Sequence, residues 1–381
     1  MEKVRFGIIG TGGMGTGHAK ALQTLEETTL TAVCDVDKEV CGRTAETYGV
    51  PGFVEYHDLL DSGLVDAVII ATPHYLHPPI GIAAMKKGIH VLSEKPVAVM
   101  VSAADEMNRV AQETGVKFAV MYQNRSAPVY RTARKLIEED RLGEIYRTCL
   151  IEPNYRSQAY YNSAGWRATW KGEGGGVLIN QAPHGIDIFT WLGGLPSRVT
   201  AKTKTRRHII EVEDEASALL EYENGAVGFY HTSVNEYPAS GSIMEFCGEK
   251  GKISISDGRL KFWSLEIPVQ QFTIGVEEMW GKPAAQEEEV PLEERETGHI
   301  ALIRNLTKAI LYDEPLLAPG IEGIRSVEFI NAVILSGKKG KPVEIPVDRA
   351  EYDTFIERMK KRSKAKKITD PVKRITDPQF A

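Results

Sequence analysis

Cysteine is scarce in this chain: four in 381 residues. Cys34, Cys41, Cys149 and Cys247 have no metal-ligand spacing, which excludes a zinc framework read from sequence, and they are too few for a disulfide-built scaffold. They read as reduced thiols of a cytoplasmic protein, with Cys34 inside a core strand. Long hydrophobic runs are missing as well. No stretch approaches the ~20 apolar residues that span a bilayer, and the first strand pattern begins by Val4, leaving no room for a signal peptide. Positive charge is not in excess: 46 Lys and Arg against 52 Asp and Glu leave a net charge of −6. Such a balance offers no field to nucleic acid or to an anionic membrane. What remains is length enough for two domains and a sizeable core.

Glycine is where the chain becomes specific. Residues 4–15 run a buried strand pattern, Val-Arg-Phe-Gly-Ile-Ile, into Gly10-Thr11-Gly12-Gly13-Met14-Gly15 and the start of a helix. Gly10, Gly12 and Gly15 fit G-x-G-x-x-G, for a tight turn, close backbone approach to a pyrophosphate, and close helix–strand packing. The phosphates belong on the free N–H groups at the helix start. A second apolar run, Leu30–Cys34, ends at Asp35, about 20 residues on, where an acid binds the adenosine ribose hydroxyls. That carboxylate repels a 2′-phosphate, Asp37 adds a second negative charge, and no Arg adjoins Asp35. NAD is favoured over NADP.

Strand and helix patterns alternate through residue 123, as a doubly wound parallel sheet requires. Strands are predicted at 66–72, 89–93 and 117–121, a small one at Gly52–Val54, and helices near 77–87 and 102–114. From about 145 the strands follow one another through short turns such as Glu223-Asn-Gly225, which makes a large, mostly antiparallel open sheet. Helices return near 298–312 and 320–337. The expected organisation is 1–123 for the dinucleotide, 124–347 an α+β domain for substrate and subunit contacts, and 348–381 a helix with a basic tail. The acidic run Glu287–Glu289 reads as a solvated loop. The Lys/Arg-rich tail from Lys360, with its repeated Ile-Thr-Asp-Pro at 368 and 375, reads as a solvated helix end and an arm.

Two constellations carry chemistry. Ser93-Glu94-Lys95-Pro96 follows a parallel strand at its carboxyl end, where such sheets bind ligands. Pro96 holds Lys95 extended and presented. Thr72-Pro73 ends on the same sheet edge. The second is Gly174-Gly-Gly-Val-Leu-Ile-Asn180-Gln-Ala-Pro-His184-Gly-Ile-Asp187. As one helix, it places Asn180, His184 and Asp187 on a single face at i, i+4 and i+7. Aromatic and cationic side chains at Tyr155, Arg156, Tyr160, Tyr161, Trp166, Arg167 and Trp170 suit a polyhydroxylated ligand, or else fill the interface between domains.

Together with Val212-Glu-Asp-Glu-Ala216 and Gly248-Glu-Lys-Gly251, these motifs resemble the Gfo/Idh/MocA oxidoreductases over about residues 3–347. The resemblance implies a Rossmann domain, an open antiparallel sheet, and NAD(P)-dependent oxidation or reduction of sugars and polyols. It makes Lys95 the catalytic lysine and His184 its acid/base partner. Asn180 stands where inositol dehydrogenases carry Asp, and an amide orients a hydroxyl but accepts no proton. Asp187 either orients His184 or closes a buried network. The resemblance assigns Thr72, Pro73, His77, Glu94, Lys95 and Gln123 to the cofactor, and Trp166-Arg167 to a loop over its nicotinamide half. Tyr122 to Arg125 match a segment that lines the cleft. Lys95, Asn124, Tyr155, Arg156, Asn180 and His184 are the expected substrate contacts, and C3 of a glucoside or anhydrosugar the expected point of oxidation. Two other readings stay open: a glycosidase that oxidises transiently with bound NAD, and a non-catalytic NAD-binding regulator. A broad sheet with one uncovered face leads to the expectation of a homodimer or homotetramer.

Overall fold

The computed structural model describes residues 2–239 and 241–364; most of the basic tail, including the Ile-Thr-Asp-Pro repeat, lies outside them. Six strands form the first sheet: β1 (Val4–Ile9), β2 (Thr28–Cys34), β3 (Gly52–Phe53), β4 (Ala67–Ile70), β5 (His90–Ser93) and β6 (Phe118–Val120). All pair in parallel, in the order β3-β2-β1-β4-β5-β6. Helices cover both faces, so strands such as Ala67-Val-Ile-Ile70 are apolar and buried throughout. The strand order reverses between β1 and β4, and ligands of open parallel sheets bind beyond the carboxyl ends at that point. Gly10 and Thr72 follow those two strands. Asp37, read from sequence as a charge beside the ribose, instead caps the helix Lys38–Tyr48, accepting from the N–H groups of Glu39 and Val40 at 3.0 and 3.2 Å.

The second sheet has nine strands: β7 (Ile145–Pro153), β8 (Arg198–Lys204), β9 (Glu215–Glu221), β10 (Val227–Ser233), β11 (Ile243–Gly248), β12 (Gly251–Ser256), β13 (Arg259–Leu265), β14 (Ala285–Glu288) and β15 (Val343–Glu344). Only β7 and β10 pair in parallel; every other pairing is antiparallel. The acidic run at 287–289 is therefore not simply a loop. Ala285–Glu288 is an edge strand on β13, and Glu288 accepts from Arg141 at 2.8 Å; alternate pairing with β13 overrides the poor strand propensity of glutamates.

One face of this sheet is covered by the helices Pro183–Gly193 and Gly320–Lys339. Phe189 packs on Phe246 and Phe329, and Tyr230 meets Phe329 edge-on. The covered residues make one continuous core with the sheet. Alternation along β10 leaves the opposite face open: Gly228 and Tyr230 are buried while Val227 and Phe229 are exposed. The chain then returns to the first domain. Ala301, Leu302, Ile303, Leu306 and Ala318 join the core of the parallel sheet, and Val120 N–H donates to the Ala318 carbonyl at 2.9 Å. Late residues thus brace the sheet edge that carries Lys95. Among the described residues no helix is long and apolar enough to cross a membrane.

Candidate active site

The glycine turn is built as its spacing predicts. Gly10 has φ +93°, and a Cβ there would lie 2.6 Å from the Ala71 carbonyl oxygen. A Cβ on Gly15 would lie 1.9 Å from the Gly10 carbonyl oxygen, so only glycine lets helix and strand approach this closely. Gly12 and Gly13 differ: nothing stands within 4 Å of such an atom on either. They stand at the start of the helix Gly13–Leu22, whose first turn has no side-chain cap. Those free N–H groups and that space suit a pyrophosphate. Asp35 closes the cradle from β2, accepting from Thr11 N–H at 2.8 Å and Thr11 Oγ1 at 3.2 Å. Met14 is exposed beside it. Thr72 follows β4 across the crevice with its hydroxyl buried and unpartnered, and Pro73 starts the short turn His74–Leu76.

Lys95 follows β5 at the same edge. Its Nζ reaches across to the second domain and donates to the Asn180 carbonyl at 2.8 Å. Burial pushes the ammonium below the usual lysine range; Glu94 and Glu173 pull it back up, while Arg167 and Arg156 oppose it. His184 shares this space. Burial, reinforced by the Lys95 charge, drives its imidazole down to about 3, and its Nδ1 is buried without a hydrogen-bond partner. At neutral pH His184 is therefore uncharged.

The continuous helix expected through Asn180, His184 and Asp187 is broken. Val177–Asn180 is one short turn and Pro183–Gly193 begins a new helix. Pro183 lacks an N–H and cannot continue the first helix, yet suits the first turn of the second. The break turns the Asn180 carbonyl towards Lys95. It also takes Asp187 away from His184: Asp187 grips the Arg125 guanidinium with both oxygens, at 2.7 and 2.8 Å. Arg125 is 1% exposed, pairs also with Glu322, and lies over Trp191. Asp187 and Arg125 are structural. So is Tyr122, buried with its hydroxyl on Ser326.

The other residues expected at the site divide. His77 sits against backbone on both sides, Nδ1 2.8 Å from the Pro96 carbonyl and Nε2 2.7 Å from that of Thr72. It braces the two sheet-edge segments. Glu94 is buried with Oε1 2.7 Å from His18 Nε2. Burial alone would raise its carboxyl, but the bond and charge of His18, with His299 and Lys95, hold it at about 2. Glu94 thus anchors the Lys95 segment to the glycine helix. Gln123 keeps an unpartnered buried Oε1, and Asn124 is half-buried beside it. Trp166 packs on His74, and Arg167 lies 4.5 and 4.6 Å over the rings of Tyr160 and Trp166. Arg156 lies 5.6 Å over the Tyr160 ring. Tyr155 is exposed and faces Tyr237. Trp170 and Tyr161 belong to the core: Trp170 donates to the Glu211 carbonyl and meets Phe355 edge-on.

Sequence reasoning missed Glu173, His74, His18 and His299. Glu173 adjoined the triple glycine, but nothing in its local pattern marks it as buried. Two of the three glycines have plain reasons. Gly174 has φ +86°, and a Cβ on Gly176 would lie 1.8 Å from the Glu213 carbonyl oxygen. Glu213 in turn caps the broken helix, accepting from the N–H groups of Gly176 and Leu178 at 2.8 and 3.2 Å. Asp214 gathers the N–H groups of Arg206, Arg207 and His208. The Glu-Asp-Glu motif is thus the support of the site's second domain. Among the described residues no group of three or more His, Cys, Asp or Glu is arranged to hold a metal ion.

A parallel sheet with a pyrophosphate cradle, joined across a cleft to an open-sheet domain whose helix Pro183–Gly193 brings His184 to the side of the buried Lys95, is the architecture of an NAD-binding oxidoreductase. Comparison with known proteins gives the same class. The model of the oxidoreductase family with an NAD-binding Rossmann fold, GFO/IDH/MocA, matches residues 4–122, and that of its C-terminal domain matches 130–254. Glucose-6-phosphate 3-dehydrogenase of Bacillus subtilis is 30% identical over 254 residues, covering 64% of this chain and 70% of that protein. Levoglucosan dehydrogenase of Pseudarthrobacter phenanthrenivorans is 25% identical over 293 residues, 66% and 73% of the two chains. Among solved structures, the WlbA dehydrogenase of Bordetella pertussis, in complex with NADH and UDP-GlcNAcA, superposes with a TM-score of 0.78. It is 29% identical and the match covers 91% of this chain and all of that one. The chain belongs to the GFO/IDH/MocA family of oxidoreductases.

Proposed function

We propose that this protein moves a hydride between a secondary alcohol carbon of a sugar, glycoside or related polyol and NAD, with Lys95 and His184 as its acid/base pair. The observation that supports this reading is the Lys95 ammonium reaching the Asn180 carbonyl at 2.8 Å, just ahead of the helix Pro183–Gly193 that carries His184. Lys95 crosses the cleft to Asn180, and its charge is felt by His184. NAD, on Gly10–Gly15 and Asp35, supplies the hydride-accepting carbon when bound. The protein's own residues position the alcohol and manage one proton. In oxidation the uncharged His184 takes the hydroxyl proton while the Lys95 ammonium faces the developing alkoxide. In reduction the Lys95 ammonium polarises the carbonyl, and His184, uncharged at rest, relays a proton from solvent to the forming alkoxide. Arg156 and Asn180 offer donors to further hydroxyls, and the Tyr160–Trp166–Arg167 cluster offers apolar ring surface to sugar C–H faces. The substrates printed for the relatives are in keeping with this class.

Absorbance of NADH, recorded with a panel of sugars, glycosides, sugar phosphates and inositols, tests the reading. Steady accumulation of NADH with at least one of them is expected. Products of glycoside cleavage without net NADH would instead establish the hydrolase, and binding without turnover would establish the regulator.

The assembly follows from the uncovered face of the second sheet. Leu219 of β9 lies opposite Phe229 of β10, which lies opposite Cys149 of β7. Leu219, Val227, Phe229 and Ile243 are each between 38% and 50% exposed, an apolar patch across central strands that a second copy would cover. The helix Val269–Gly275 buries none of its residues within its own chain. Light scattering is expected to give two or four times the chain mass of 42.2 kDa, and Phe229→Glu to shift the protein towards the monomer. A monomer at micromolar concentration contradicts this.

A further inference from the structure

The geometry points to Glu173 as a positioning residue that supplies, from seven positions upstream of Asn180, the carboxylate that Asn180 itself lacks, and that thereby ties the Trp166–Arg167 loop to Lys95. This rests on the proposed roles of Lys95 and His184.

Glu173 is 1% exposed. Its Oε1 accepts from Asn180 Nδ2, the side chain of the residue whose carbonyl holds the Lys95 ammonium at 2.8 Å. Its Oε2 accepts from Ala168 N–H at 2.5 Å. Ala168 has φ +54°, a left-handed value uncommon outside glycine and Asn or Asp. That strained turn aims its N–H at the carboxylate. Arg167 Nη1 stands 3.9 Å from Oε1, and the Glu173 carbonyl accepts from His74 Nδ1 at 3.1 Å. His74 packs on Trp166 and on His77. One carboxyl group therefore joins the loop, the broken helix and, through Asn180, the lysine.

Electrostatics agree. Burial pushes Glu173 up to about 7, against the pull of Ala168 N–H, Arg167, Asn180 and Lys95. The charge it keeps is one of two, with that of Glu94, that favour Lys95 as ammonium. Glu94 is already held by His18, which leaves Glu173 as the carboxylate beside Asn180. The groups facing Glu173 are thus Lys95 from the first domain, Arg167 and the Tyr160 and Tyr161 rings from the loop, and Asn180 from the broken helix.

The test is the Glu173→Gln enzyme, assayed as the full chain with a substrate found by the NADH panel. Removing the charge makes the Lys95 ammonium easier to deprotonate. Oxidation needs the ammonium, so the alkaline limb of kcat/KM is expected about one pH unit lower. Misplacement of Lys95 is expected to lower kcat roughly 10- to 100-fold, with NAD affinity, measured by fluorescence titration, within a few-fold of wild type. Adding Asn180→Asp to Glu173→Gln returns a carboxylate to the same cluster and is expected to restore the limb and most of the turnover. A wild-type limb and turnover in Glu173→Gln overturn the inference, as does a lowered kcat with an unmoved limb. Where Glu173→Gln alone does not fold, the double variant decides. A folded enzyme with the wild-type limb supports the role, while a displaced limb or failure to fold contradicts it. Lys95→Ala separates the two levels: if that enzyme turns over normally, the Lys95 and His184 assignment falls, and this inference with it.

Discussion

Lys95→Ala lowers turnover at least ~100-fold, the usual size of an acid–base contribution, while NAD affinity stays within a few-fold of wild type. The split follows from where the side chain points. In the proposed function NAD rests on Gly10–Gly15, Asp35 and the free N–H groups of the first helix. The Lys95 ammonium instead reaches across to Asn180. Truncation removes the positive charge that meets the alkoxide and leaves the dinucleotide cradle intact. Stopped-flow turnover and NADH fluorescence titration on one preparation check both halves. Loss of NAD affinity with unchanged turnover per bound NAD would reverse the assignment. Lys95→Met, which keeps the length of the stem without its charge, is expected to be equally slow, so the effect is not one of packing.

Asp187→Ala is expected to cost about 3–5 kcal/mol of stability, the usual result of leaving a buried charge unpaired. Arg125 is as buried as the residues of the core, and Asp187 binds it with both oxygens. Glu322, the other carboxylate on Arg125, has a partly exposed side chain, so it compensates only in part. Urea unfolding of the full chain measures the loss. At temperatures where the variant is folded, kcat is expected within a few-fold of wild type. That outcome separates a structural Asp187 from one that orients His184. An orienting role predicts the opposite pattern, a large fall in kcat with little change in stability. The unpartnered Nδ1 of His184 already argues for the structural role.

The parallel domain was legible because its rules are local. A strand, a glycine turn at fixed spacing and an acid after the second strand specify each other within about 30 residues, and the short β3 (Gly52–Phe53) falls inside the predicted segment. The second sheet was legible as a class, since consecutive strands with tight turns leave few alternatives. Its register was not, because β7 pairs with β10 and β11 from far along the chain. Helical periodicity misled at Asn180–Asp187. The pattern i, i+4, i+7 fits one helix, but Pro183 restarts it, and tertiary contacts send Asn180 and Asp187 to different partners. Glu94 and His77 look like ligand contacts from their place in the motif, yet their side chains are spent on His18 and on backbone carbonyls. Glu173 was invisible for the converse reason: a glutamate before three glycines reads as a solvated turn until the fold buries it.

The central claim is that Lys95 and His184 act on one alcohol carbon from opposite sides of the cleft. A crystal structure of the full chain with NADH and the substrate identified by the panel tests it most directly. The reacting oxygen is expected within about 2.6–3.2 Å of both Lys95 Nζ and a His184 ring nitrogen, with its carbon against the nicotinamide. A substrate seated against the nicotinamide but touching only one of those side chains, or neither, would contradict the account.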